Sequence, residues 1–189
     1  TLLANVGVHL EGVAVVPEDQ AKYGPLSGRI IAGAEDQGRL YSFDDAGNVE
    51  IYEVGVNVED IDLIPSNANF FGVNYGTGQL LGASAEDFAP YVRGILLTQE
   101  SHSGTGLYHL YWNGDELAAD EIPLTNDSAS VGQWEHVTFS TAGIVEVAPV
   151  SDPPTISASL PVTKAEVGSS LVIGGSARAF GPGNYITHI

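Results

Sequence analysis

The amino-acid sequence predicts an all-β protein assembled from repeated four-stranded units. Three observations lead there. Apolar residues come in short runs rich in Val, Ile, Tyr and Thr, as strands favour, and 23 Gly and 10 Pro punctuate those runs with turns. Helical periodicity is nearly absent; Ser84–Val92 alone reads as a helical turn, with Ser84 as its N-cap. Finally, Gly38–Val54 (GRLYSFDDAGNVEIYEV) and Gly106–Ile122 (GLYHLYWNGDELAADEI) describe the same outline of strand, glycine turn and strand in different residues.

The elements follow in order. The first unit runs LEGVAVVP (Leu10–Pro17), GRIIAGAE (Gly28–Glu35), RLYSFDDAGN (Arg39–Asn48) and VEIYEV (Val49–Val54). The second runs VEDIDLIP (Val58–Pro65), RGILLTQE (Arg93–Glu100), GLYHLYWNGD (Gly106–Asp115) and ELAADEIPL (Glu116–Leu124). Glu35 aligns with Glu100, Leu40-Tyr41 with Leu107-Tyr108, and Gly47 with Gly114 at the sharp point of each turn. QWEHVTFS (Gln133–Ser140) reads as the opening strand of a third unit. Four meandering strands cannot bury their faces alone, so such units stack against copies of themselves, as propeller blades do. Measured against the first unit, the second carries residues 66–91 as an insertion, in which FFGVNY and QLLGAS predict a hairpin around Gly76-Thr77-Gly78.

The texture changes near Val147. Residues 147–154 (VAPVSDPP) predict a Pro-rich linker, because proline donates no ladder hydrogen bond and holds the chain extended. The organisation expected is therefore a β-repeat domain over 1–146, the linker, and a β segment over 155–189 whose strands are TISASLPV, SSLVIGG and YITHI. Both domains read as unfinished: the first has too few units to close, the second too few strands for a sandwich. Open sheet edges template pairing with other chains. The expected partner is thus either the rest of a longer polypeptide or further copies of the chain, joined by strand pairing. A Thr1 start and the lack of methionine point the same way, to a processed or partial chain.

Composition narrows the function. Six Lys and Arg face 24 Asp and Glu, a formal charge of −18. That balance excludes nucleic acid, whose phosphates need basic partners, and disfavours anionic membrane surfaces. No apolar run reaches the roughly twenty residues of a membrane helix, so no membrane insertion is expected. Without cysteine there are neither disulfides nor thiolate metal sites.

The motifs EGVAVVP, GPLSGRIIAG and GRLYSFDDAGNVEIY resemble blades of six-bladed propellers of the gluconolactonase and NHL-repeat kind. IPSNANFFGVNYGTGQLLGA, GILLTQE and QWEHVTF are similar to segments of uncharacterised secreted bacterial proteins, some with C-terminal surface-sorting signals. The tail PPTISASLPVTKAEVGSSLVIGGSA resembles the first strands of immunoglobulin-like repeats in bacterial surface proteins, so 155–189 is a partial Ig-like segment on that likeness. The resemblance implies an exported protein. Gluconolactonase-like enzymes hold a divalent metal at the propeller axis on acidic and Asn ligands; that family's Asn ligand and catalytic Asp have no counterpart that can be placed here.

Candidate chemistry is sparse. Glu11, Glu59 and Glu135 stand at the same place before the first strand of each unit. Equivalent positions of stacked repeats converge on one axis, and converging carboxylates suit Ca²⁺, which takes six to eight oxygens; the alternative is that each caps backbone N–H groups of its neighbour. FDDAGNVE (Phe43–Glu50) is oxygen-rich, but its spacing departs from the EF-hand loop and reads as hairpin-turn chemistry. His9, His102, His109, His136 and His188 show no paired ligand spacing, and ESHSGTG (Glu100–Gly106) forms no nucleophile elbow. Trp112 and Trp134, with Tyr108 and Tyr111, are either a carbohydrate-stacking surface or core and cross-strand pairs. The function expected is that of a non-catalytic, exported bacterial surface or extracellular structural and adhesion protein, located outside the cell. The alternatives are a fragment of a metal-dependent lactonase-like hydrolase and a carbohydrate-binding module.

Overall fold

In a computed structural model, residues 1–101, 104–124 and 133–144 are described, with two short strands at 156–158 and 175–177. The protein is all-β, in antiparallel sheets with very little helix. It divides into two compact units, Thr1–Ile144 and Val145–Ile189. The first contains β1 (Glu11–Val15), a single helical turn α1 (Gln20–Tyr23), β2 (Ile30–Ala34), β3 (Arg39–Phe43), β4 (Val49–Glu53), β5 (Val58–Leu63), β6 (Asn69–Asn74), β7 (Gln79–Ala83), β8 (Ile95–Ser101), β9 (Gly104–Trp112), β10 (Leu117–Ile122) and β11 (Trp134–Ser140). In the second, β12 (Ile156–Ala158) pairs antiparallel with β13 (Gly175–Ala177). The linker and the greater part of the three tail strands expected from sequence lie outside the described residues.

Three sheets form the first unit: β1-β2-β3-β4, β5-β8-β9-β10 and β11-β6-β7. Their registers coincide. Ile30 pairs with Val15 and Phe43 in the first, Ile95 with Leu63 and Leu110 in the second, and Phe70 with Phe139 and Ala83 in the third. Each opening strand also carries an irregularity at one place, between Glu11 and Val13, Val58 and Ile61, and Trp134 and Val137. Such bulges admit an extra residue and bend the strand. The repeat inferred from the Ile30 and Ile95 strands is therefore present in the hydrogen-bond ladders themselves.

Two parts of the repeat differ from the sequence reading. The segment Gln133–Ser140 does not open a third unit continued downstream; its strand β11 pairs with β6 of the hairpin contributed by the insertion. The third sheet is thus assembled from strands far apart in the chain. The insertion is also shorter than 66–91, because residues 84–93 match 19–28. Asp19 accepts from the Lys22 N–H and Ser84 from the Asp87 N–H; Pro25 and Pro90 stand in equivalent one-turn 3₁₀ segments; and Tyr23 and Phe88 are both buried. Two hairpins differ as well. The chain leaves the ladder after Phe43 in the first sheet but stays paired to Trp112↔Leu117 in the second, carrying Tyr111 and Trp112 further out.

Sheets pack face to face because each alternates apolar residues on both sides. One core joins the first and second sheets through Ile31, Leu40, Ile61, Ile95, Leu97 and Leu110. The opposite face of the second sheet, with Leu96, Leu107 and Ile122, meets Phe70, Trp134 and Val137 of the third. Ala4, Val6, Val8 and Leu10 cover the remaining face of the first sheet, over Ala32, Tyr41 and Phe43. The second sheet is therefore the middle layer, apolar on both faces.

The first two sheets approach closely at Gly33, where a Cβ would lie 2.4 Å from Val58 Cβ and 2.9 Å from the Val58 carbonyl oxygen. Backbone cannot yield as a flexible side-chain tip does. Gly33→Ala is expected to destabilise by about 1–3 kcal/mol, as overpacking does, whereas Gly76→Ala, whose nearest contact is a Gln133 side-chain atom at 3.7 Å, should stay within about 0.5 kcal/mol. Urea unfolding of both variants checks the difference.

Candidate functional site

Among the described residues, two clefts are bounded by side chains with chemistry to offer. The first lies where the opening strands meet. The bulges turn consecutive residues toward it, and it is lined by Glu11 and Gly12 of β1, Glu59 and Asp60 of β5 and His136 of β11, with residues of the N-terminal segment closing one side. Its volume is about 650 Å³. Gly12 has a left-handed φ of +58°, and a Cβ there would lie 3.0 Å from the Asp60 Cα, so only glycine lets β1 come this close to β5.

Of the three glutamates expected to converge, Glu11 and Glu59 line this cleft and Glu135 does not. All three occupy equivalent bulge positions, but on β11 the following residue, His136, turns inward instead. Sequence alignment identified the position; it could not show which of the two bulged residues faces the cleft. Glu59 is buried. Glu11 reaches away from it as well: His9 Nε2 is 3.1 Å from a Glu11 oxygen and His9 Nδ1 is 3.5 Å from a Glu35 oxygen. Ligand atoms of His9, Glu11 and Glu35 lie within 4.8 Å of one another, on an exposed histidine and two half-buried glutamates. From sequence, His9 showed no ligand spacing and Glu35 only a repeat counterpart, since their proximity exists only once β1 pairs with β2.

Asp60 and Asp62 use their carboxylates structurally. Asp60 Oδ1 accepts from the Ile61 N–H at 2.8 Å, and Asp60 Oδ2 accepts from the Val137 N–H of β11 at 2.8 Å. Asp62 accepts from the Leu63 N–H at 2.7 Å, and the nearby Phe139 N–H and Thr138 hydroxyl also favour its charged form. Burial nevertheless pushes the Asp62 carboxyl above its usual range, outweighing those bonds.

The second cleft, about 640 Å³, lies between α1, the Val92–Arg93 turn and the outer end of β9, lined by Asp19, Lys22, Arg93, His109, Tyr111 and Trp112 among others. The two extra ladder pairs at the end of β9 place Trp112 against α1; a Cβ on Gly24 would fall 2.3 Å from the indole. His109 stacks on Tyr111 at 4.8 Å and 18° and meets Tyr91 edge-on at 5.3 Å. Its ring covers Gly94, where a Cβ would come within 2.0 Å of Nε2. Burial lowers the His109 pKa, which favours the neutral ring. The Tyr111 hydroxyl donates to Asp120 at 2.8 Å.

The aromatic set weighed from sequence divides here. Trp134 is buried in the core at 2% exposure, and Tyr108 packs partly buried between the first two sheets. Only Tyr111 and Trp112 reach a cleft. The Asp44 turn is turn chemistry as expected: its carboxylate accepts from the Ala46 and Asn48 N–H groups and the Asn48 side-chain amide. His102, within ESHSGTG, lies outside the described residues.

No family model, curated protein or solved structure matches this chain. What the two clefts do must therefore be argued from their own residues.

Asp62 makes a signed prediction. A carboxyl whose folded pKa is raised contributes stability that is full below its unfolded pKa of 3.8 and is lost as pH rises through the folded value. At neutral pH the buried charge is a liability, so Asp62→Asn, which keeps an acceptor oxygen, should raise the melting temperature at pH 7. That gain should vanish below about pH 3.8. Thermal melts of both proteins at pH 3 and pH 7 check the sign.

Proposed function

We propose that this chain is a non-catalytic, exported surface or extracellular module that works by assembly, its three stacked sheets being blades of a propeller-type array. The observation that carries this reading is an asymmetry between the ends of the stack. The outer face of the first sheet is covered by the chain's own residues 4–10. Among the described residues the third sheet is not covered in the same way: Leu80 on its outer face is 70% exposed, Phe71 and Val73 beside it are half-buried, and Ile144 rests near Gly82 at 44% exposure. Unlike ends favour head-to-tail contacts, which extend into filaments when rotation does not close them. A surface of −18 formal charge keeps such a module soluble until the specific contact forms. Among the described residues no helix is long and apolar enough to cross a membrane.

Sedimentation velocity over a range of protein concentrations tests this. The protein should associate with rising concentration, and Leu80→Glu, on an exposed site that leaves the core intact, should hold it monomeric. A monomer throughout, or association untouched by Leu80→Glu, overturns the reading.

A calcium ion is the second part of the proposal, with Glu11 and Glu59 as its carboxylate ligands across the first cleft. Glu135 belongs to the same set by repeat position only. Asp60 is a poor contributor because both its oxygens already accept backbone N–H groups. Binding to the native state stabilises it by about 2.7 kcal/mol at a hundredfold excess over Kd. Added Ca²⁺ should therefore raise the melting temperature of the wild type and not of Glu11→Gln. An unchanged melting temperature with millimolar calcium and with chelator removes calcium from the account.

A further inference from the structure

We infer that the second cleft binds an acidic saccharide, a sugar ring carrying a carboxylate, with Arg93 and Lys22 on the carboxylate and the Tyr111 and Trp112 rings against the apolar face of the sugar. This does not depend on the assembly proposed above, which concerns the outer face of the third sheet and none of these residues.

The repeat uses one turn twice. In the first unit Leu26-Ser27-Gly28-Arg29 closes with the Arg29 N–H donating to the Leu26 carbonyl at 3.1 Å, and Gly28 takes a φ of +73°. In the second, Tyr91-Val92-Arg93-Gly94 closes with the Gly94 N–H donating to the Tyr91 carbonyl at 3.0 Å. Ser27 and Val92 have nearly the same backbone angles, φ −55°, ψ 125° and φ −57°, ψ 124°. Both are type II turns, whose third residue needs positive φ and is ordinarily glycine. The second unit instead puts Arg93 there, at φ +103°, the one non-glycine residue with positive φ among those described. Glycine and arginine have exchanged places between the two copies.

Half of that exchange has a packing cause. Residue 94 must be glycine because the His109 ring lies on it. Nothing in the packing asks for arginine at 93, where a left-handed backbone strains any L side chain. Strain of this kind collects at functional sites. The charge pattern singles out the same residue. Among the described residues Arg29 pairs with Glu50 and Arg39 with Glu53, while Lys22 and Arg93 have no carboxylate partner, and both line this cleft. Lys22 is held in place over the Tyr23 ring at 4.6 Å. Of the acids nearby, Asp19 caps the Lys22 N–H and Asp120 accepts from Tyr111.

Two cations beside two aromatic rings define the ligand chemistry. A guanidinium meets a carboxylate with paired hydrogen bonds, and a ring with an apolar face stacks on indole and phenol. The volume of about 640 Å³ suits a short oligosaccharide. The protein's negative charge opposes any anion at long range, but at about 0.15 M salt it is screened beyond roughly 8 Å, whereas contact with Arg93 and Lys22 is not.

The test is calorimetric titration of the full chain with trigalacturonate and with the neutral galactose trisaccharide, at about 0.15 M salt. Saturable binding of trigalacturonate is expected, at least about tenfold tighter than the neutral sugar. Arg93→Gly should weaken it about tenfold or more, the equivalent of about 1.4 kcal/mol, while raising the melting temperature because the turn gains its preferred residue. Lys22→Gln should weaken it in the same direction. No saturable binding of trigalacturonate overturns the inference, as does equal affinity for the neutral sugar. So does an Arg93→Gly protein that binds unchanged or melts lower than the wild type.

Discussion

The first unit is held together at β5, by the need to satisfy backbone N–H groups where one sheet ends and the next begins. The N–H groups of Ile61 and Leu63 point away from β8, toward neighbours with which β5 forms no ladder. Asp60 and Asp62 take these donors with their own carboxylates, and Asp60 takes the Val137 N–H of β11 as well. Two alternating aspartates thus replace a strand-to-strand ladder on one side of the sheet. An exposed row of unpaired donors invites aggregation, and unpaired buried ones are costly; the DID pattern within VEDIDLIP answers both. The arrangement has its own penalty, seen in the raised Asp62 pKa, because desolvating a carboxylate opposes its ionisation.

The same junction makes the first cleft. Extra residues in the opening strands let β1, β5 and β11 crowd together without forming one continuous sheet, and Gly12 removes the side chain that would keep β1 away from Asp60. Crowding turns Glu11, Glu59 and His136 into a shared space. The second cleft arises from a different departure, the longer pairing of β9 that sets Trp112 on Gly24 beside the strained Arg93 turn. The first candidate site thus lies where the copies of the repeat share an irregularity, and the second where one copy deviates from another.

The fold was legible in sequence to the extent that local chemistry determines it. Leu40-Tyr41 and Leu107-Tyr108 mark equivalent strands because each must alternate inward and outward residues between tight turns. The correspondence of 19–28 with 84–93 was hidden because it rests on roles: Asp19 and Ser84 are both caps, Tyr23 and Phe88 both buried rings, and only the proline is shared in kind. The third sheet was hidden for another reason. β11 pairs with a hairpin some sixty residues earlier, and nothing local in Gln133–Ser140 specifies that partner. At the sites, the position of Glu11, Glu59 and Glu135 could be read, but the bulge decides whether that residue or its successor faces inward. Asp60 and His136 were missed for that reason, whereas Trp134 takes the core position that its sequence context allowed as one of two readings.

The central claim is that carboxylates of β5, rather than a backbone ladder, fasten β11 and hence the third sheet. Hydrogen exchange resolved by NMR tests it most directly at the Val137 amide. In the wild type it should be protected although it donates to a carboxylate rather than to a strand carbonyl. In Asp60→Ala the Val137 amide should lose protection while amides of β2 and β3, in the first sheet, keep theirs. Rapid exchange of Val137 in the wild type, or protection unchanged in Asp60→Ala, would contradict the account.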